Sequence, residues 1–523
     1  MDLKFNRMTV DTTLAQEYLQ KPKGDLSNPK PIPDNFLSAQ ISMDGIDKKL
    51  STLAAKIKEN LSLLAQLEYV LRKIPIEDST IQINLIIQQI YYVIEQIQDK
   101  NLNRRDSNSV FKRIILSDDT PLLIFGALPK ELVLTQICYI DSKSETTDTI
   151  CDFITKLCQD IGLEVYTSSF WKTELTQNWP TIEIPSGAIG VVSELSDTDS
   201  AADVFLASST QVPWRLLRIL VQESVYEQFK NALIWKCNLN KQRVEKPPSD
   251  TSPDSIEYNG RMFFSDTVGS YQPQSSVLIE AYRTRKELKS LLNVHRPHYL
   301  SLWANDIAEI NEIAYGTNSY VVWVNSYADF RGPSKVSEGI YSHISPKQKF
   351  KDTFGISELK ASWLALDFEA RRQVLIKALD ECSSKVPEPD NQQYKQIKND
   401  LQKVKEGSND SFIEIGNDYV CSGLNTRSSK LFYTNTVNHI YTLEFYKSIL
   451  LGSAFLVQGT HKYSAQVLDI LKHFHLPVVS KSGSFSEGDD EVNTDTAWLD
   501  HAILDVTQTT KVIWTNSGTI FAN

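Results

Sequence analysis

The chain has 523 residues, with 54 Lys+Arg against 65 Asp+Glu and a formal net charge of −11. A hydrophobic fraction of 41% and a charged fraction of 23% are ordinary globular values, which excludes a disordered or fibrous chain and allows a large core. The acidic balance argues against a dedicated nucleic-acid binder, which needs clustered basic side chains to attract phosphates. Six cysteines (Cys138, Cys151, Cys158, Cys237, Cys382 and Cys421) stand without paired spacing, so neither a disulfide framework nor a zinc knuckle is expected. No apolar run follows Met1-Asp2-Leu3-Lys4, and none approaches the roughly 20 residues that cross a bilayer. A cytoplasmic protein without membrane insertion is the expectation.

In chain order, Lys23–Phe36 holds Pro29, Pro31 and Pro33, which fix φ and remove donors, so residues 1–40 read as an irregular arm. Ile46, Leu50, Leu53, Ile57, Leu61, Leu64 and Leu71 recur at three- and four-residue steps and predict a helix that Pro75 ends. Ile81–Ile97 repeats the pattern through Ile86, Ile90, Val93 and Ile94. The spacing is not a sustained heptad, so helices packed on a sheet are favoured over a coiled-coil hairpin.

Beyond Arg113 short apolar runs alternate with helices. Arg113–Leu116, Pro121–Phe125, Leu132–Tyr139 and Leu163–Tyr166 read as buried strands, with Ile150–Gln159 as a helix between them. That alternation predicts an α/β protein with a parallel sheet. Residues 240–256 and 480–495 are polar loops, and Pro387 and Pro389 mark a further break. Lys156–Val165 is echoed by Asp469–Val478, each a helix end, a turn and a strand, which suggests that the C-terminal third partly duplicates the N-terminal region.

Three segments carry a family likeness. They are Leu216–Phe229 with Arg218 and Val221-Gln222-Glu223, Trp303–Tyr327 with Val321-Val322-Trp323-Val324-Asn325, and Lys335-Val336-Ser337-Glu338-Gly339. In this order they resemble the catalytic region of the aldehyde dehydrogenases. Ile182-Glu183-Ile184 resembles the strand bearing that family's general base, and the helices at 46–97 resemble its N-terminal pair. Lys351–Ile356 then leads into a second unit that stops early. A complete unit fused to a truncated one resembles the tandem-domain sixteenth aldehyde dehydrogenase family. The implied fold is a Rossmann-type parallel sheet plus a catalytic-type α/β domain, followed by a truncated second unit. The expected divisions are an arm at 1–40, a coenzyme-type domain at 41–187, a catalytic-type domain at 188–345 and the second unit at 346–523.

The chemistry of such a fold needs a cysteine thiolate to attack the aldehyde, a hydride acceptor, and a glutamate to activate water. The resemblance places the nucleophile at Pro213, which has neither a reactive side chain nor an N–H for an oxyanion hole. Glu183 takes the place of the base but is followed by Pro185-Ser186-Gly187, and Asn325 closes the third relic position. The family holds the adenosine ribose with a lysine. Here Tyr139–Glu145 puts Asp141 near that place, and no glycine lies between Tyr166 and Glu183 for a pyrophosphate turn. No cofactor is therefore expected, NAD included. His473 and His475 lack a third ligand, so no metal is expected either.

The expected function is a catalytically inactive aldehyde-dehydrogenase-like protein that binds protein partners as a scaffold. The alternative is a sensor that still binds a nucleotide or an aldehyde, or a weak oxidoreductase or hydrolase acting through Glu183. The family pairs through strands that reach across to a partner subunit, so a homodimer is expected. A second unit in the same chain can also cover that surface internally.

Overall fold

The computed structural model describes residues 11–20, 45–98, 111–115, 121–134, 137–141, 145–167, 181–182, 184–239, 255–258, 261–265, 276–317, 319–332, 334–341, 355–387, 390–404, 411–415, 419–427, 431–434, 440–458, 463–481, 496–498 and 508–516. Glu183, most of the 1–40 arm, residues 168–180, and nearly all of both polar loops lie outside them.

Thr13–Gln20 (α1), Ile46–Glu59 (α2), Leu61–Arg72 (α3) and Ile76–Gln98 (α4) open the chain. Leu50, Leu53, Ala54 and Ile57 bury one face of α2, as their spacing predicted. The single periodic run divides at Asn60, and Lys73, at φ 61°, closes α3 in the left-handed conformation just before Pro75. These helices pack on one another and on Glu145–Asp160.

The next stretch is Phe111–Ile115 (β1), Pro121–Ile124 (α5), Leu128–Leu134 (α6), Ile137–Asp141 (β2), Glu145–Asp160 (α7), Val165–Thr167 (β3) and Thr181–Ile182 (β4). Its strands form a four-stranded sheet in the order β3-β2-β1-β4, parallel throughout. The runs at 121–125 and 132–134, expected as strands, are helical. A short apolar run has the same pattern in either state, and Pro121 suits a helix start.

The centre of the molecule is a ten-stranded sheet. Its elements in chain order begin Ala188–Val192 (β5), Thr198–Ala207 (α8), Leu216–Gln222 (β6), Tyr226–Leu239 (α9), Ser255–Tyr258 (β7), Arg261–Ser265 (β8) and Val277–Tyr282 (β9). Arg285–His295 (α10), Tyr299–Trp303 (β10), Ile307–Gly316 (α11), Val321–Val324 (β11) and Glu338–Tyr341 (α12) follow. β5, β10 and β11 are buried at every position, as expected of parallel strands covered on both faces. One face packs under Phe205 of α8 and Phe229 of α9, and the other under Leu288 of α10 and Ile313 of α11.

The second half comprises Ile356–Leu364 (α13), Phe368–Lys385 (α14), Asp390–Lys403 (α15), Ser411–Ile415 (β12), Tyr419–Arg427 (β13), Leu431–Thr434 (β14), Leu443–Leu450 (α16), Ala454–Gln458 (β15), Ser464–His473 (α17), Val478–Lys481 (β16), Thr496–Trp498 (β17) and Gln508–Asn516 (β18). β14–β17 form a second four-stranded parallel sheet in the order β16-β15-β14-β17. In chain order both small sheets read third-second-first-fourth. The second half thus has a sheet of its own, with a core built around Trp363, Leu379, Tyr446 and Phe455.

It also lends three strands to the central sheet, whose order is β12-β13-β18-β11-β10-β5-β6-β9-β8-β7. β18 lies parallel to β11 from Val321↔Val512 to Val324↔Thr515, and antiparallel to β13 from Tyr419↔Asn516 to Arg427↔Gln508. Trp514 stacks near Trp323 at 6.3 Å and gives its indole N–H to the Arg331 carbonyl at 2.7 Å. Removing residues 345–523 would bare β11, whose four residues are 0% exposed. A 1–344 fragment is expected to aggregate and to melt without cooperativity in calorimetry. A soluble fragment with a sharp transition would contradict this.

Candidate functional site

Pro213 lies in the turn that leads into β6, at the amino edge of the central sheet, and is buried. Its carbonyl accepts the Gly187 N–H at 2.7 Å, and Arg215 offers its own carbonyl to Ala188 N–H at 2.8 Å. Trp214, next in sequence, is 1% exposed and packs 4.6 Å from Phe330 and 6.4 Å from Tyr299. Tyr327 donates its hydroxyl to the Trp214 carbonyl. The place where the resemblance puts a nucleophile is thus filled by packed aromatic rings.

Asn325 follows β11 at the opposite, carboxyl edge, about four residues of strand from the level of Leu216, or roughly 13 Å. It adopts φ 49°, a left-handed conformation that asparagine tolerates. Its Oδ1 accepts the Ala304 N–H at 3.0 Å and its Nδ2 donates to the Ala304 carbonyl at 2.9 Å. Asn325 therefore ties the ends of β10 and β11 together. Pro213 and Asn325 are not brought together, and Glu183 lies outside the described residues.

The carboxyl edge holds a cluster that the sequence did not reveal. After β5 the chain turns to β6, and after β9 it crosses back to β10 on the other side of β5, so β5 and β10 flank a reversal of strand order. Ligands of open α/β sheets bind at such reversals. Here Ser193 Oγ donates to Glu309 Oε1 at 3.0 Å, and Tyr282 completes the chain at 3.1 Å from Ser193 Oγ. Because the serine proton goes to Glu309, the tyrosine hydroxyl is the donor to Ser193. Arg285 meets Asp306 at 2.9 Å and Glu309 at 3.5 Å. Burial pushes the Tyr282 phenol up to about 12, so it stays protonated. Ser193, Tyr282 and Glu309 are 0%, 1% and 4% exposed, which makes this a closed lock and not a reacting centre. The hydrogen-bonded partners stand 89 and 116 residues apart, so no local motif could have announced them.

All six cysteines are buried. Burial pushes the Cys158 and Cys382 thiols up to about 12, far from thiolate chemistry. His473 ends α17, and His475 sits in the following turn at φ 55°, so the two do not share a strand. Among the described residues no group of three or more His, Cys, Asp or Glu is placed to hold a metal ion, and no helix is long and apolar enough to cross a membrane.

The first small sheet also has a reversal of strand order. In the order β3-β2-β1-β4 the reversal falls between β1 and β4, and β2 ends on Asp141 opposite Ile115. An acid at the carboxyl end of a second strand is the group that accepts hydrogen bonds from ribose hydroxyls in dinucleotide folds.

No family model matches the chain, and no curated protein sequence matches it. Solved structures do resemble it. Betaine aldehyde dehydrogenase from Staphylococcus aureus in complex with NAD+ is 16% identical over 61% of this chain and 79% of that one, with a TM-score of 0.45. The NAD-dependent aldehyde dehydrogenase from Sinorhizobium meliloti is 14% identical over 61% and 80%, also at 0.45. An oxidoreductase from Marinobacter aquaeolei is 12% identical over 60% and 83%, at 0.43. The α/β fold with a parallel sheet stands, and these neighbours share an aldehyde dehydrogenase-like arrangement. The expectation that no cofactor binds is corrected, because a structure of this arrangement carries NAD+.

Because the Pro213 turn is buried beneath Trp214, a thiol placed there should be shielded. Pro213→Cys is expected to resist alkylation by iodoacetamide in the native state and to react on unfolding. Rapid native labelling would show that the turn opens to solvent.

Proposed function

We propose that this chain is a catalytically silent aldehyde-dehydrogenase-like protein of the tandem-domain kind, which acts through its surfaces by binding protein partners. The observation that carries this reading is the burial of all six thiols together with the aromatic filling around Pro213. Without an accessible thiolate no thiohemiacetal forms, so no hydride donor arises. A fold that keeps its packing and lacks its nucleophile has its surfaces left to act with. The proposed divisions remain 41–187, 188–345 and 346–523, the last a truncated second unit. A homodimer is part of the proposal, since among the described residues β7 and β12 each pair on one side only. An open strand edge is a template for a second chain.

A second reading, favoured by the β1/β4 reversal and by Asp141, is that NAD binds the first small sheet as a ligand. Bound NAD accepts hydride in an active dehydrogenase. In this chain Asp141 would take the ribose hydroxyls, and the side chains around Pro213 supply no group that turns an aldehyde into a hydride donor.

Calorimetric titration of the full chain with NAD, paired with an assay for NADH formation from short and aromatic aldehydes, tests both. Heat of binding without NADH is expected, and Asp141→Ala should weaken binding by about tenfold. Turnover would sink the silent reading. Absence of binding would sink only the nucleotide. Recovery of the native protein alone, with no stoichiometric protein partner, would oppose the scaffold.

A further inference from the structure

Lys511 is the only charged residue of β18, and it stands where the second half of the chain joins the central sheet. It is 3% exposed. Its Nζ donates to the Thr317 carbonyl at 2.7 Å, just beyond the C-terminal end of α11. An ammonium has three donors to satisfy, and this carbonyl is its one acceptor among the described residues. Thr317 Oγ1 and Ser319 Oγ, on the same stretch, are buried without hydrogen-bond partners of their own.

Among the described residues no counter-charge faces the amine. Val512 lies against Gly339 of α12, where a Cβ on the glycine would meet Val512 Cγ2 at 2.9 Å. Lys511, one residue earlier, therefore points to the other face, away from Gly339 and Tyr341 of α12 and from His298, which contacts the Gly339 carbonyl at 3.2 Å. On the Lys511 side the acids of α11 are already engaged: Glu309 by Ser193 and Arg285, and Glu312 by Lys289 and Arg285. His295 of α10 lies instead near Arg218 and Glu280. β11 has no charged residue, β13 sets Leu424 opposite Lys511, and Arg427 stands opposite Gln508.

We propose that the β11–β18 seam is a proton-operated latch, closed by the neutral amine of Lys511 and loosened when that amine takes a proton. Burial pushes the amine down to about 7 in the folded chain, against about 10.4 for a free lysine. The helix end at Thr317 favours the cation, but a single carbonyl does not replace the water lost. With the folded value below the unfolded one, the undocked strand binds more protons between these limits. Docking therefore strengthens as pH rises from about 7 to about 10, and is weakest, with no further change, below that window.

Hydrogen exchange of the full chain, followed on residues 508–516 and corrected for the intrinsic rate, reads the latch directly. Protection of β18 is expected to rise about tenfold or more from about pH 7 to about pH 9, while β5 amides keep theirs. Lys511→Met should be flat with pH and more protected at neutral pH. Lys511→Arg, which cannot lose its proton, should be flat and poorly protected. A flat wild-type profile, an unchanged slope in Lys511→Met, or β5 moving in step with β18 would overturn the proposal.

Discussion

The pairing of β18 with β11 is the constraint on which the rest of the architecture depends. A strand from the last residues of the chain enters a sheet whose other parallel strands come from the first half, so neither half is complete alone. The pairing buries Trp514 against Trp323 and Phe330, extends the stack of rings that reaches Tyr299 and Trp214, and sets Val512 against Gly339 of α12. Burying a side chain of tryptophan's size contributes about 3 kcal/mol, and stacked aromatic pairs add about 1 kcal/mol. That is a large share of the roughly 5–15 kcal/mol that holds a domain folded.

The same aromatic stack borders the amino edge of the sheet. Trp214 packs against Phe330 there, and the Pro213 and Arg215 carbonyls are spent on the Gly187 and Ala188 amides. At the carboxyl edge the polar groups are equally committed: Ser193, Tyr282, Glu309 and Arg285 satisfy one another. Satisfied polar groups rigidify a fold, and reacting ones have to keep a free lone pair or proton. The strand order of the first small sheet reverses between β1 and β4, and Asp141 ends β2 beside β1.

Much of the first half was legible in the sequence. The run Val321–Val324 is a strand because β-branched and aromatic residues run unbroken, Leu216–Gln222 is one because only Arg218 interrupts its apolar residues, and the steps from Leu50 to Ile57 mark a helix. Other features had no local signature. The run at 121–125 is too short to separate strand from helix by period. The hairpin of β12 and β13 passed unnoticed because its Ser, Asn and Gly residues dilute the apolar pattern. Strand partners such as Val321 and Val512, and the contact of Ser193 with Glu309, join residues far apart in the chain, where a single sequence holds no record of contact. Asp141 stands near the place where the resemblance puts a lysine, and only the structure puts it at the end of β2.

The central claim, that the two halves are one folding unit joined through β11 and β18, is tested most directly by a double-mutant cycle on Trp323 and Trp514. Full-length wild type, Trp323→Leu, Trp514→Leu and the double variant would be unfolded in denaturant. The account predicts a coupling energy of about 1 kcal/mol between the two sites. Additivity within about 0.3 kcal/mol, together with separate transitions for the two halves in the wild type, would contradict it.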